Sequence, residues 1–84
     1  MILATTIDIG DQFFLPTSVS VTVGTTVTWV NRGQQGHTAT ARDGSFASST
    51  LDFNQSFAFI FTRAGRFEYY CETHTDMVGE VEVR

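Results

Sequence analysis

The chain has 84 residues, room for one domain, and its single cysteine, Cys71, excludes an intramolecular disulfide. A formal net charge of −4, with five arginines and no lysine, argues against nucleic-acid binding, and no run of about 18 apolar residues is present to span a membrane as a helix. A domain this small needs a metal or a dense core to hold it; eight Phe, one Trp and two Tyr point to an aromatic core.

Taken in order, the chain reads as β throughout: Val, Ile, Thr, Phe and Tyr dominate short runs punctuated by Gly, Asn and Asp. Met1 to Ala4 is too short for a signal peptide, leaving either a chain used as written or one whose leader has been removed. Ile7 and Ile9 alternate with polar neighbours. Pro16 falls between strands, where its missing N–H does little harm. Val19, Val21 and Val23 alternate up to a turn at Gly24-Thr25, and Val27 and Trp29 resume the alternation as far as Asn31. Asn31 to Gly36 reads as a loop, and His37 to Ala41 as a short strand. Residues 42–55 are small and polar, mostly loop, with Phe46, Leu51 and Phe53 as anchors.

Phe57, Phe59 and Phe61 form an inward stripe of period two. Ala64-Gly65 is a turn. Phe67, Tyr69 and Cys71 then share one face, with Glu68 and Tyr70 on the other. Val78 to Val83 forms the last strand, with Val81 and Val83 inward. No helix of useful length and no repeat is evident. Seven or so short strands predict a β-sandwich.

The chemistry concentrates in Cys71-Glu72-Thr73-His74-Thr75-Asp76-Met77, a C-x-x-H-x-x-M motif following a strand. Alone, the cysteine would be a small buried hydrophobe, the methionine core filler and each histidine an ordinary polar residue. Together they combine a thiolate, an imidazole and a thioether within seven residues. The one other histidine, His37, follows a different strand. Two His, one Cys and a weak axial Met suit copper in an electron-transfer site, whereas zinc wants four strong ligands and seldom takes Met. With three candidate ligands on one loop and the fourth elsewhere on a rigid sandwich, both oxidation states can share nearly one geometry.

On these residues the chain resembles the cupredoxins, and within them the plastocyanin and amicyanin group. Phe14-Leu15-Pro16, Val19, Val21, Gly24, Val27, Trp29 and Asn31 look like that family's first half, with His37 six residues after Asn31 as in amicyanin-like members. Phe61 to Cys71 looks like its strand leading into the Cys ligand, and Met77-Val78-Gly79 with Val81 and Val83 like its closing strand. The resemblance implies a Greek-key β-sandwich of about seven to eight strands over residues 1–84, holding one type 1 copper through His37, Cys71, His74 and Met77. It implies that Asn31 ties the two ligand loops together, that the Thr38 N–H donates to the Cys71 sulfur, and that the His74 edge is the route for the electron. It further implies that His74 would protonate and leave Cu(I) at low pH. Three positions depart from the group. Gly36 stands where Pro is frequent, so its carbonyl is expected to lie nearer the copper. Thr38 replaces a frequent Asn, and Thr75 a frequent Pro.

The function expected first is a single-electron carrier working between redox partner proteins; the alternative is a copper-handling module for delivery, storage or sensing. An enzyme is not expected, since a second copper centre would need further histidines. A monomer is expected, in the periplasm or outside the cell. Glu68, Glu72, Asp76, Glu80 and Glu82 read as a solvated face, or else as a surface steering toward a basic partner.

Overall fold

The computed structural model describes residues 4–84. Eight strands run β1 (Ala4–Ile9), β2 (Phe14–Leu15), β3 (Ser18–Val21), β4 (Thr26–Asn31), β5 (Thr40–Ala41), β6 (Ser56–Ile60), β7 (Gly65–Cys71) and β8 (His74–Val83). They form two four-stranded sheets, ordered β2-β1-β4-β6 and β3-β8-β7-β5. Strands β1 and β4 are parallel, as are β3 and β8; the other pairs are antiparallel. The expected all-β cupredoxin-like sandwich is the fold observed.

Alternation drives the assembly, because successive side chains on a strand point to opposite faces. Ile7, Ile9, Val27 and Trp29 enter the core from one sheet, and Phe67, Tyr69, Cys71, Val81 and Val83 from the other. Trp29, fully buried, meets Tyr69 edge-on at 5.3 Å between centroids and Phe46 at 5.1 Å. Such ring pairs add about 0.5–1.5 kcal/mol each beyond their buried area. Phe57 and Phe59 are only partly buried, at the edge of this core.

The structure corrects several sequence expectations. Val23 lies beyond β3 and is exposed, because the chain already turns at Gly24, whose φ of 96° suits a residue without a Cβ. Phe53 is 56% exposed, so of the three apolar anchors expected in the long connection only Phe46 and Leu51 are buried. His37 lies outside β5, meeting Leu51 in an isolated bridge. Strand β8 begins at His74 rather than Val78, so the C-x-x-H motif is a hairpin turn rather than a loop ahead of a strand.

One register places the functional end. Ile9 pairs with Asn31, so the loops after β1 and after β4 leave the first sheet side by side, joined by the Arg32 N–H donating to the Ile9 carbonyl at 2.8 Å.

Candidate metal centre

Cys71 and His74 are the closing pair of the β7–β8 hairpin, with Glu72 and Thr73 as the turn. A two-residue hairpin loop normally wants residues with positive φ. Neither turn residue has one, and a register shift between Tyr70 and Cys71 accommodates the difference. The spacing of the motif thus sets its two donors opposite each other, at a strand end fixed by a core of rings.

His37 arrives from the first sheet. Its Nδ1 lies 3.6 Å from Cys71 Sγ, and His74 Nδ1 lies 3.9 Å from the same sulfur. Donor atoms of all three residues lie within 4.8 Å of one another. Donors about 2.0–2.3 Å from a shared ion at tetrahedral to trigonal angles stand roughly 3.5–4 Å apart. The cluster therefore fits one metal ion, and a donor set of two imidazoles and a thiolate suits a soft or borderline one. His37 and Cys71 are fully buried, whereas His74 is half-buried. Met77 is buried and lines, with His74, Asp11, Gln12 and Asp76, a hollow in the surface beside the cluster.

The sulfur is prepared for a metal. Burial pushes the Cys71 thiol up, but the hydrogen-bonding contacts of its sulfur with the Thr73 hydroxyl, the Thr38 N–H and the two imidazoles outweigh it and bring it down to about 6. The Thr38 N–H donates to Sγ at 3.5 Å, as the resemblance implied.

The ties around the cluster differ from those expected. Asn31 is buried; its Nδ2 donates to the carbonyls of Gln35 and Leu51, each at 2.8 Å, and its Oδ1 accepts from the Gly33 N–H at 2.8 Å. It therefore fastens the His37 loop to itself and to the Leu51 segment, not to the Cys71 hairpin. Side chains of three threonines join the two ligand segments instead. Thr38 Oγ1 accepts from the Glu72 N–H at 2.8 Å, Thr40 Oγ1 donates to the Glu72 carboxylate at 2.9 Å, and Thr73 Oγ1 donates to the Gly36 carbonyl at 3.1 Å. The Gly36 carbonyl thus faces the hairpin that carries Cys71. The space beside Gly36 is closed by Thr50, whose methyl would stand 2.8 Å from an added Cβ.

Two residues of the site were not singled out from the sequence. Thr73 Oγ1 lies 3.1 Å from Cys71 Sγ and 3.0 Å from His74 Nδ1. Its place inside the motif was the available signal. Asp11, in the β1–β2 loop, has its Oδ1 3.0 Å from His37 Nε2. Nothing in the sequence linked positions 26 residues apart in different loops.

The whole chain, residues 1–84, matches the family model described as copper binding proteins of the plastocyanin/azurin family. The chain therefore belongs to that family. It is 32% identical over 85 residues to amicyanin from Paracoccus denitrificans, covering 95% of this chain and 65% of that protein. It thus spans slightly under two thirds of the length of that curated relative. Among solved structures, a purple cupredoxin from Nitrosopumilus maritimus superimposes with a TM-score of 0.89 at 30% identity, over 95% of this chain and 99% of that one. A copper-containing nitrite reductase from Thermus scotoductus gives a TM-score of 0.90 at 26% identity, over 98% of this chain but 22% of that one. Fold, family and the His37–Cys71–His74 cluster agree on a metal-binding site in a member of a copper-binding family.

Proposed function

We propose that the protein carries single electrons between redox partners on one type 1 copper, with His37, Cys71 and His74 as the strong ligands and Met77 as the weak axial one. The observation that carries this reading is the convergence of two imidazole Nδ1 atoms on the Cys71 sulfur at 3.6 and 3.9 Å. When bound, copper supplies the Cu(II)/Cu(I) couple. The chain's residues supply an unchanging frame: Cys71 and His74 sit on one hairpin, His37 on a loop pinned by Asn31, and the threonine ties cross between them. A frame fixed before the metal enters leaves little to rearrange when the charge changes. Half-buried His74 is the natural exit for the electron, since Cys71 and His37 are fully enclosed. Burial of the thiolate also favours tight retention over the ready exchange that a delivery or storage module needs.

A reactive copper thiolate fits a compartment outside the reducing cytosol, and we place the protein in the periplasm or beyond as part of the same proposal. The test is addition of Cu(II) to the metal-free protein. An intense visible thiolate-to-copper charge-transfer band, bleached by ascorbate and restored by an oxidant, is expected. A colourless complex that yields its copper to a competing chelator would overturn electron carriage in favour of copper handling.

A further inference from the structure

We infer that Asp11 is a positioning residue for His37, fixing which ring nitrogen faces the metal and setting the electron density that nitrogen offers. The inference rests on the copper reading above. Asp11 Oδ1 lies 3.0 Å from His37 Nε2 and accepts the Gln35 N–H at 3.0 Å, while Oδ2 accepts the Gln34 N–H at 3.1 Å. Two backbone N–H groups and a ring nitrogen converge on this one side chain, and a carboxyl group that accepts several N–H bonds is held in its charged form. A carboxylate only accepts, so Nε2 carries a proton, and in the neutral ring, the form that binds a metal, Nδ1 is bare. Nδ1 is the atom that faces Cys71 Sγ.

The place for this carboxylate is built by the fold. The parallel register Ile9↔Asn31 brings the loop carrying Asp11 alongside the loop carrying His37. Gly33 leaves the space that the carboxylate fills: a Cβ there would overlap Asp11 Oδ1 and Cγ. His37 is fully buried, and among the described residues Asp11 is the hydrogen-bond partner of its Nε2. An anion bonded to the far nitrogen of a ligating imidazole raises its basicity, and loss of such a partner commonly lowers metal affinity about 10–100-fold. The effect falls more heavily on Cu(II) than on Cu(I), because the more highly charged ion gains more from an electron-rich donor. Asp11 therefore holds the reduction potential down.

Two variants test this. Asp11→Asn is nearly isosteric but offers one acceptor oxygen where three N–H groups now bond. Gly33→Ala keeps the carboxylate and displaces it. The Gly33 backbone lies outside the left-handed region, so alanine adds the overlap without backbone strain. In metal-free protein, nitrogen-15 NMR should find wild-type His37 as a single tautomer with Nε2 protonated, and a mixture in D11N. In copper-loaded protein, both variants should keep the visible charge-transfer band and shift the Cu(II)/Cu(I) affinity ratio about tenfold, read as a potential about 59 mV higher. A circular dichroism spectrum matching wild type shows that each variant is folded. Equal potentials in wild type and D11N, or the same single tautomer in both, would overturn the assignment. A missing charge-transfer band in wild type would overturn the copper reading instead, and the tautomer result would then decide whether Asp11 positions His37.

Discussion

Nδ1 of His37 and Sγ of Cys71 stand 3.6 Å apart across 34 positions of sequence, with no disulfide or helix to bring them together. The approach is the product of two sheets facing each other. Each donor sits where a strand or its loop leaves the core, at the same end of the sandwich, and the ring cluster below keeps that end from spreading.

The Cys71 thiol gives the first expectation. In metal-free protein its thiolate absorbance should titrate with a midpoint about 6, against an ordinary value of 9.0, because the hydrogen bonds to sulfur outweigh its burial. The folded pKa lies below the unfolded one, so between them the unfolded chain binds more protons and stability rises with pH. This contribution is complete above pH 9 and is lost as the pH falls through 6. Cys71→Ala should remove that slope from a series of denaturant titrations. A wild-type midpoint at 8 or higher would contradict the geometry.

Asn31 should matter more to stability than its size suggests. Asn31→Ala leaves the Gln35 carbonyl and the buried Gly33 N–H without their partner inside the fold, while the Leu51 carbonyl keeps only the His37 N–H. An unsatisfied buried group costs about 1–3 kcal/mol, and rearrangement of the loop recovers part of that, so a loss of about 3 kcal/mol is expected. Urea denaturation measures it. A change below about 1 kcal/mol would mean that the His37 loop holds itself.

Local pattern made the framework legible, and contacts across the fold did not show in it. The alternation of Ile7 with Ile9, Val27 with Trp29 and Phe67 with Tyr69 is a property of neighbours in sequence, and it gave the strands and their inward faces. The nearness of Cys71 and His74 was legible for the same reason, since three positions separate them; His37 was picked out as the one other histidine and not by any local pattern. Asp11 beside His37 depends on the parallel register of β1 with β4, which no local pattern records. The misassigned anchor has a related cause: Phe53 carries the same apolar signal as Phe46, but the chain turns near Asn54, with φ at 66°, and leaves its ring in solvent. The role expected of Asn31 was transferred by resemblance, and its actual partners follow from the local path of the loop it closes.

On the proposed copper reading, Met77 should tune the metal rather than retain it. It is buried beside His74, three positions further along β8. In a type 1 site the axial thioether is the weak donor and a lever on potential. Met77→Leu keeps the volume, so the charge-transfer band should persist while the potential rises, because Cu(II) loses a donor that Cu(I) needs less. Voltammetry of the loaded variant reads the shift. Loss of the band would instead make Met77 essential for binding.

Tyr69 carries a buried hydroxyl with no well-formed hydrogen bond among the described residues, the equally unpaired Trp29 N–H being at most a weak donor to it, and burial pushes its phenol up to about 12 from 10.0. The folded pKa lies above the unfolded one, so the contribution to stability is full below pH 10 and is lost as the pH rises to 12. Tyr69→Phe removes an unsatisfied polar group and should hold or raise stability at pH 7 by up to about 1 kcal/mol. Its stability should also fall less steeply above pH 10. Thermal denaturation of the two proteins at pH 7 and pH 11 would check both points. A marked loss at pH 7 would mean that the hydroxyl has a partner.

The same ring explains Gly79. Tyr69 and Gly79 are paired across β7 and β8, and a Cβ at position 79 would overlap Cζ and the hydroxyl of Tyr69. The ring has little freedom to yield, since it is held edge-on by Phe14 at 4.7 Å and Trp29 at 5.3 Å between centroids. Gly79 does not have a positive φ, so the demand on this position is for space. Gly79→Ala should therefore destabilise by about 1–3 kcal/mol through overpacking. Leucine at position 69 should make the alanine cheaper, because the part of the ring that collides is gone, although Tyr69→Leu has its own cost in lost ring contacts. A double-mutant cycle in urea isolates the coupling. If alanine at 79 cost the same with tyrosine or leucine at 69, the overlap would not be the cause, and the demand for glycine would lie in the backbone of β8.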